Sequence, residues 1–280
     1  MIRRKFSKFL SILGFYLLLG IITIYALFPF YYAFISSFKS GTEIFIVNYL
    51  PTKISFDNYL SVLKTGYFGQ NILNSAFVAF SVVLISMMLG IFASYSLARL
   101  NFKGRSTILL VILSASMFPQ VAVLSGMFEL VAALSLFNSL WSLVLTYMIF
   151  TIPFTVWILH TFMKAFPPEL ERAALIDGAT TMQLIFKVIL PIMWPALVSV
   201  GLLSFIAAWN EFLFALTFIS SDHLRTVPVA IATLSGASEH EIPWGNIMAA
   251  SMIITIPLIM LVVIFQNRIV SGLTAGAVKG

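Results

Sequence analysis

The chain contains no cysteine and only three histidines, His160, His223 and His240. The first absence removes disulfides, thiolate metal sites and cysteine nucleophiles together. The histidines stand too far apart to offer a metal-ligand spacing. Charge is also scarce: charged side chains make up 9% of the 280 residues, far too few to cover a water-facing surface. Hydrophobic residues reach 60% and the mean hydropathy is +1.04. That composition belongs in lipid.

Several chemistries are missing as well. No glycine-rich phosphate loop with an adjoining lysine and hydroxyl residue occurs, so a Walker-type ATP site is excluded and any energy input must come from another subunit or an ion gradient. No HExxH segment and no serine–histidine pairing is visible, and His160 has no acidic neighbour, which argues against an intramembrane hydrolase. The net charge of +6 is not gathered into a basic stripe interleaved with aromatics, so nucleic acid is a poor partner.

What is present is a series of apolar runs, each long enough for a hydrocarbon core of roughly 30 Å: Phe9 to Ile35, Ile72 to Ala98, Ser106 to Leu124, Leu136 to Met163, Ile192 to Ile219 and Ile247 to Phe265. They predict an all-α, polytopic membrane protein with six transmembrane helices. The division is an N-terminus over 1–8, a membrane domain over 9–265 and a C-terminal tail over 266–280. The first run is too long for a signal-peptide core and lacks a small-residue cleavage site, so it reads as an uncleaved span. Prolines at 29, 119, 153 and 257 lie inside spans, where kinks and a bundle around a watery pathway are both admissible.

Positive residues are retained on the cytoplasmic side. Arg3, Arg4, Lys5, Lys8, Arg99, Lys103, Arg105, Lys164, Arg172, Lys187, Arg268 and Lys279 fall on one side, and Lys39, Lys53, Lys64 and Arg225 on the other. Both termini are therefore expected in the cytoplasm of a cell with this protein in its inner membrane. The outer segment Ser36 to Asn71 carries an apolar side and is expected to fold back along the membrane surface. Ser125 to Ser139 is expected to form an interfacial helix.

The most informative segment is the inner loop Phe166 to Pro195. Pro167 and Pro168 followed by Glu169 and Glu171 make a helix start, continued by Arg172, Ala173, Ala174 and Leu175. Asp177-Gly178 is a turn signal, with Gly178 free to take the left-handed conformation. Thr180 and Gln183 fit a capping box for a second helix, whose Leu184, Ile185, Val188 and Ile189 form an apolar face and which Pro191 is expected to end. Ala174 and Gly178, four apart, predict a smooth face for close approach by a partner. A solvated connector is the plainer reading of the same residues.

This segment resembles the cytoplasmic EAA motif of binding-protein-dependent ABC importer permeases. Ala173, Ala174, Asp177, Gly178, Leu190 and Pro191 fall at matching spacing, with Val188 where the family usually has isoleucine, and Arg172 stands where the family has glutamate, beside Glu171. The resemblance extends over the chain, through the AAWNEF stretch at Ala207 to Phe212 and the tail SGLTAGAVKG, to MalG-like permease subunits of type I sugar importers. It implies a coupling surface at Glu169, Glu171, Arg172, Ala173, Ala174, Asp177, Gly178, Ala179, Leu190 and Pro191. It also implies a second permease subunit, two ATP-binding subunits holding ATP and magnesium, and an extracytoplasmic solute-binding protein. The substrate implied is a di- or oligosaccharide such as maltose or trehalose, with polyol, glycerol phosphate or an ion-coupled carrier as alternatives. The tail is implied to reach toward the ATPase interface; composition alone reads it as a frayed end.

Glu211 is the one acid within a span, and an intramembrane charge is a functional candidate by default. With Trp209 and Asn210 it forms the candidate substrate pathway, facing a cavity or reaching interfacial water. Trp141, Trp157, Trp194, Trp209 and Trp244 can stack on a sugar ring or anchor the protein at the interface.

Overall fold

The computed structural model describes residues 2–50, 53–64, 66–234 and 242–277, and every regular element among them is helical. In chain order they are α1 (Ile2–Ser37), α2 (Asp57–Lys64), α3 (Phe68–Arg99), α4 (Arg105–Ala115), α5 (Gln120–Ala133), α6 (Leu140–Ala165) and α7 (Pro168–Ile176). There follow α8 (Thr181–Ile192), α9 (Trp194–Trp209), α10 (Leu213–Phe218), α11 (Val227–Ala232) and α12 (Trp244–Ala277). Four of these, within α1, α3, α6 and α12, are long and apolar enough to cross a membrane alone, and the bent pairs α4–α5 and α8–α9 raise the number to six. The chain divides into two compact units, residues 1–65 with 233–255 and residues 66–232 with 256–280.

In the larger unit, α3 and α6 pack along their whole length. Phe77 meets Trp141 edge to face, Ser86 hydrogen-bonds Thr151 at 2.8 Å, Gly90 lies against Thr155, and the Ser94 hydroxyl donates to the Met163 sulfur at 3.4 Å. The numbers rise together on both helices, so the two run parallel. Against them α9 runs antiparallel, since Phe80 meets Phe205 with the rings tilted while Gly201 sits beside Val83. Short polar side chains supply the contacts between helices because water-driven association is unavailable in lipid, and close packing with hydrogen bonds replaces it.

Two parallel helices require the chain between them, residues 100–139, to travel back across the layer. The α4–α5 pair supplies that return, and it does so with a 97° bend in place of a straight third span. Pro119 cannot donate to the preceding turn, and the Ser114 and Ser116 hydroxyls bond back to the Val111 and Leu113 carbonyls at 2.8 and 2.7 Å. These side chains offer the backbone a local alternative to helix continuation. The expected interfacial helix accordingly begins earlier, at Gln120, and ends at Ala133.

Three other boundaries differ from the sequence reading. Pro191 does not end its helix: residues Leu184–Ile189 widen into a π-turn, with the Leu190 amide reaching the Ile185 carbonyl, and the helix passes through Pro191 to Ile192 before bending by 81°. A widened turn shifts the bonding register and so absorbs the donor that proline lacks. The fifth span closes at Trp209, followed by the short α10. The last helix continues past Phe265 to Ala277, and the remaining tail residues 278–280 lie outside the described residues.

In the smaller unit the segment after α1 is folded back by a buried lysine. Lys39 Nζ donates to the Ile46 and Asn48 carbonyls at 3.1 and 2.8 Å and lies over the Tyr32 ring. Asn58 on α2 donates to the Ser37 and Lys39 carbonyls, each at 2.8 Å. Phe45, Val47, Ile54 and Phe56 stay exposed, the apolar side that an interfacial segment presents to lipid.

Candidate functional site

The loop joining α6 to α9 holds the two helices that the sequence predicts. Pro167 caps α7 and Pro168 is its first residue, where a missing amide costs nothing. The helix ends in a Schellman arrangement: the Gly178 amide donates to the Leu175 carbonyl at 3.1 Å and the Ala179 amide to the Ala174 carbonyl at 3.0 Å. Gly178 sits at φ +83°, a conformation that penalises any Cβ. Thr180 then opens α8 with a full capping box. Its hydroxyl accepts from the Gln183 amide at 3.3 Å, and the Gln183 side-chain oxygen accepts from the Thr180 amide at 2.9 Å.

Burial divides these residues into two faces. Leu184, Ile185 and Ile189 are buried and Val188 is half-buried, packing Leu184, Ile189 and Val188 into one apolar cluster with Leu159, Met163, Phe166, Met193, Leu197 and Val200. Glu169, Leu170, Arg172, Ala173, Leu175, Ile176, Asp177 and Gly178 are exposed, and Ile176 is 85% accessible. The expected smooth face of Ala174 and Gly178 is not one face: Ala174 turns inward onto the cluster, and Gly178 lies beyond the helix end. The outward small residue is Ala173. Leu190 is half-buried and Pro191 exposed.

One ion pair beside this loop has no counterpart in the sequence motifs. Glu171, the only buried residue of α7, forms an ion pair with Arg99, the last residue of α3. In the sequence Arg99 is one of the inner-side charges, and no local signal links positions so far apart.

The residues proposed for a substrate pathway are placed differently from one another. Trp209 is buried with its indole N–H unpartnered, and Asn210 is exposed, its side chain donating to the Ile206 carbonyl at 2.9 Å. Glu211 is buried beyond the end of α9, and its two carboxylate oxygens accept from the Phe214 and Ala215 amides at 2.9 and 3.2 Å. It thus caps α10, the position where a negative group meets unpaired amides and the positive end of the helix dipole. The end of the bundle opposite α7 is tied by asparagines: Asn138 accepts from the Ser220 and Ser221 amides, and Asn74 donates to the His223 and Arg225 carbonyls.

Apolar helices long enough to cross a membrane, with an amphipathic helix pair presented at one end of the bundle, define a polytopic membrane protein. Residues 86–274 match the family described as binding-protein-dependent transport system inner membrane component, and the chain belongs to that family. It is 40% identical over 262 residues to the trehalose/maltose transport system permease protein MalG of Thermococcus litoralis, covering 93% of this chain and 94% of that protein. It is 39% identical to the trehalose transport system permease protein SugB of Mycobacterium tuberculosis, over 91% and 93% of the two chains. Among solved structures, a chain of a bacterial ABC transporter involved in alginate import shares the fold, with a TM-score of 0.80 and 23% identity, over 93% of this chain and 96% of that one.

Proposed function

We propose that this chain is one of the two membrane subunits of an ATP-driven importer for a di- or oligosaccharide of the maltose or trehalose kind. The observation that carries the substrate class is the match, over nearly the full length of both chains, to a trehalose/maltose permease. In this reading a second permease subunit completes the pathway, and an extracytoplasmic binding protein delivers the sugar. Two further subunits bind and hydrolyse ATP with magnesium. The chain itself is not a catalyst. Both termini face the cytoplasm in this reading, which the distribution of lysine and arginine supports.

The exposed face of α7 and the Gly178 turn serve as the docking surface for an ATP-binding subunit. Support comes from the geometry: an exposed apolar tip at Ile176 and a turn around which a Cβ on Gly178 would meet nothing within 4 Å in this chain alone. Closure of the ATP-binding subunits then moves α7, and the bundle alternates between two rigid-body states.

The test is affinity purification of the complex from its native membrane, followed by uptake of labelled trehalose, maltose, a polyol and glycerol phosphate into proteoliposomes. Recovery of an ATPase and a second permease, with ATP-dependent uptake of a disaccharide, is the expected result. In G178D the ATPase should be lost while the second permease remains. A wild-type chain that transports without any ATPase would overturn the reading.

A further inference from the structure

The attachment of α7 to the bundle is thin. Its backbone joins α6 through Phe166 and Pro167, Ala174 offers one methyl to the apolar cluster, and its only buried side chain is a carboxylate. That carboxylate is held by a residue from a different helix. Arg99 Nε donates to Glu171 Oε1 at 2.6 Å, a second guanidinium nitrogen pairs with the same oxygen, and this nitrogen also donates to the Phe166 carbonyl at 3.1 Å.

One guanidinium therefore joins three elements: the C-terminal end of α3 that carries it, the residue that caps α6, and the middle of α7. The planar fork of arginine suits this, because its N–H groups diverge in fixed directions; a lysine offers a single point charge. Its positive charge also suits the negative end of the α3 dipole. The two side chains are only 19% and 11% exposed, so salt screens the pair far less than a surface contact.

We propose that Arg99 and Glu171 are positioning residues that make α7 and the end of α3 move as one body, delivering motion imposed on α7 to the α3–α6–α9 bundle. The proposal rests on the assignment of α7 as the surface where an ATP-binding subunit docks. α8 is fixed to the bundle by Leu184 and Ile189, whereas α7 packs on α8 and reaches α3 through the Arg99–Glu171 pair. Without the pair, a push on α7 would be taken up by rotation at the Phe166–Pro167 junction and at the Gly178 turn. With the pair in place the push reaches α3, which packs along both α6 and α9.

The experiment uses the whole complex in proteoliposomes and reads sugar imported per ATP hydrolysed. The E171Q variant keeps the size of the side chain and removes its charge. It should retain the ATPase subunit and hydrolyse ATP, while import per ATP falls on the order of tenfold, the scale of a typical coupling energy. R99K, which keeps the charge and loses the diverging fork, should fall between wild type and E171Q in import per ATP at equal recovery of the ATPase subunit. A wild-type ratio in E171Q overturns the proposal.

If E171Q fails to hold the ATPase subunit, the R99C/E171C pair carries the test, since this chain has no other cysteine. Bridging the two sulfurs with a flexible thiol-reactive linker should raise import above the unbridged level. Import that stays at the unbridged level overturns the proposal. Failure of the docking assignment is seen separately, as a wild-type chain that purifies without an ATPase subunit and shows no ATP-dependent import.

Discussion

Gly90 sets how closely α3 approaches α6. A Cβ built there would lie 2.5 Å from the Thr155 methyl and 3.3 Å from its Cβ. Thr155 is fully buried and β-branched, so it has little freedom to turn aside. G90A is therefore expected to cost about 1–3 kcal/mol, as overpacking of a tight contact does, read as a lower unfolding temperature in detergent. T155S removes the offending methyl and keeps the hydroxyl that faces Ser204, so G90A/T155S should recover most of the loss. A second residue-scale prediction separates two roles for Glu211. Its oxygens cap α10, so E211A should lower stability by about 1 kcal/mol, while E211Q, which retains one acceptor oxygen, should lose less. If E211Q leaves stability unchanged and still abolishes import, the carboxylate meets the transported solute; equal losses in both readouts assign it to the cap.

At the scale of elements, the Gly178 turn links two helices through a conformation that side chains resist. Replacing it by alanine at φ +83° should cost about 1 kcal/mol, whereas asparagine tolerates that region better. Hydrogen exchange at the Gly178 and Ala179 amides, both bonded in the Schellman arrangement, should accelerate more in G178A than in G178N. Such features were readable in the sequence because they are local: the double proline opening α7, the Asp-Gly turn and the Thr180–Gln183 box each act within a few residues. The apolar runs were readable for the same reason. What escaped depends on contacts between distant positions. The inward turn of Ala174 follows from where α6 and α9 lie, the π-turn that carries α8 through Pro191 follows from the need to keep Leu184 and Ile189 in the cluster, and the Arg99–Glu171 pair joins two helices separated by three others. Glu211 was singled out as a lone acid, but its role as a cap emerged only with the break after Trp209.

For the molecule as a whole, the direction of its helices constrains how often it crosses the membrane. α3 and α6 run parallel, as their paired contacts show, so the segment between them returns the chain to the opposite face even though it is bent. The antiparallel α9 then places the α7–α8 loop at the same end of the bundle as Arg99, and the Ser220–Arg225 segment at the end marked by Asn74 and Asn138. The two ends must face opposite sides, and the proposed orientation, with the surplus of lysine and arginine inside, predicts that the Arg99 end faces the cytoplasm. Because the chain has no cysteine, single thiols report on this directly. Lys103 and Ser220 are both exposed and lie at opposite ends. In intact cells with the outer envelope opened, S220C should react with a membrane-impermeant maleimide, and K103C should react only after permeabilisation. The reverse pattern would place α7 outside and remove any route by which a cytoplasmic ATPase reaches it. Labelling of both sites in intact cells would mean that the bent α4–α5 pair enters and leaves on one face, which the parallel pairing of α3 with α6 forbids.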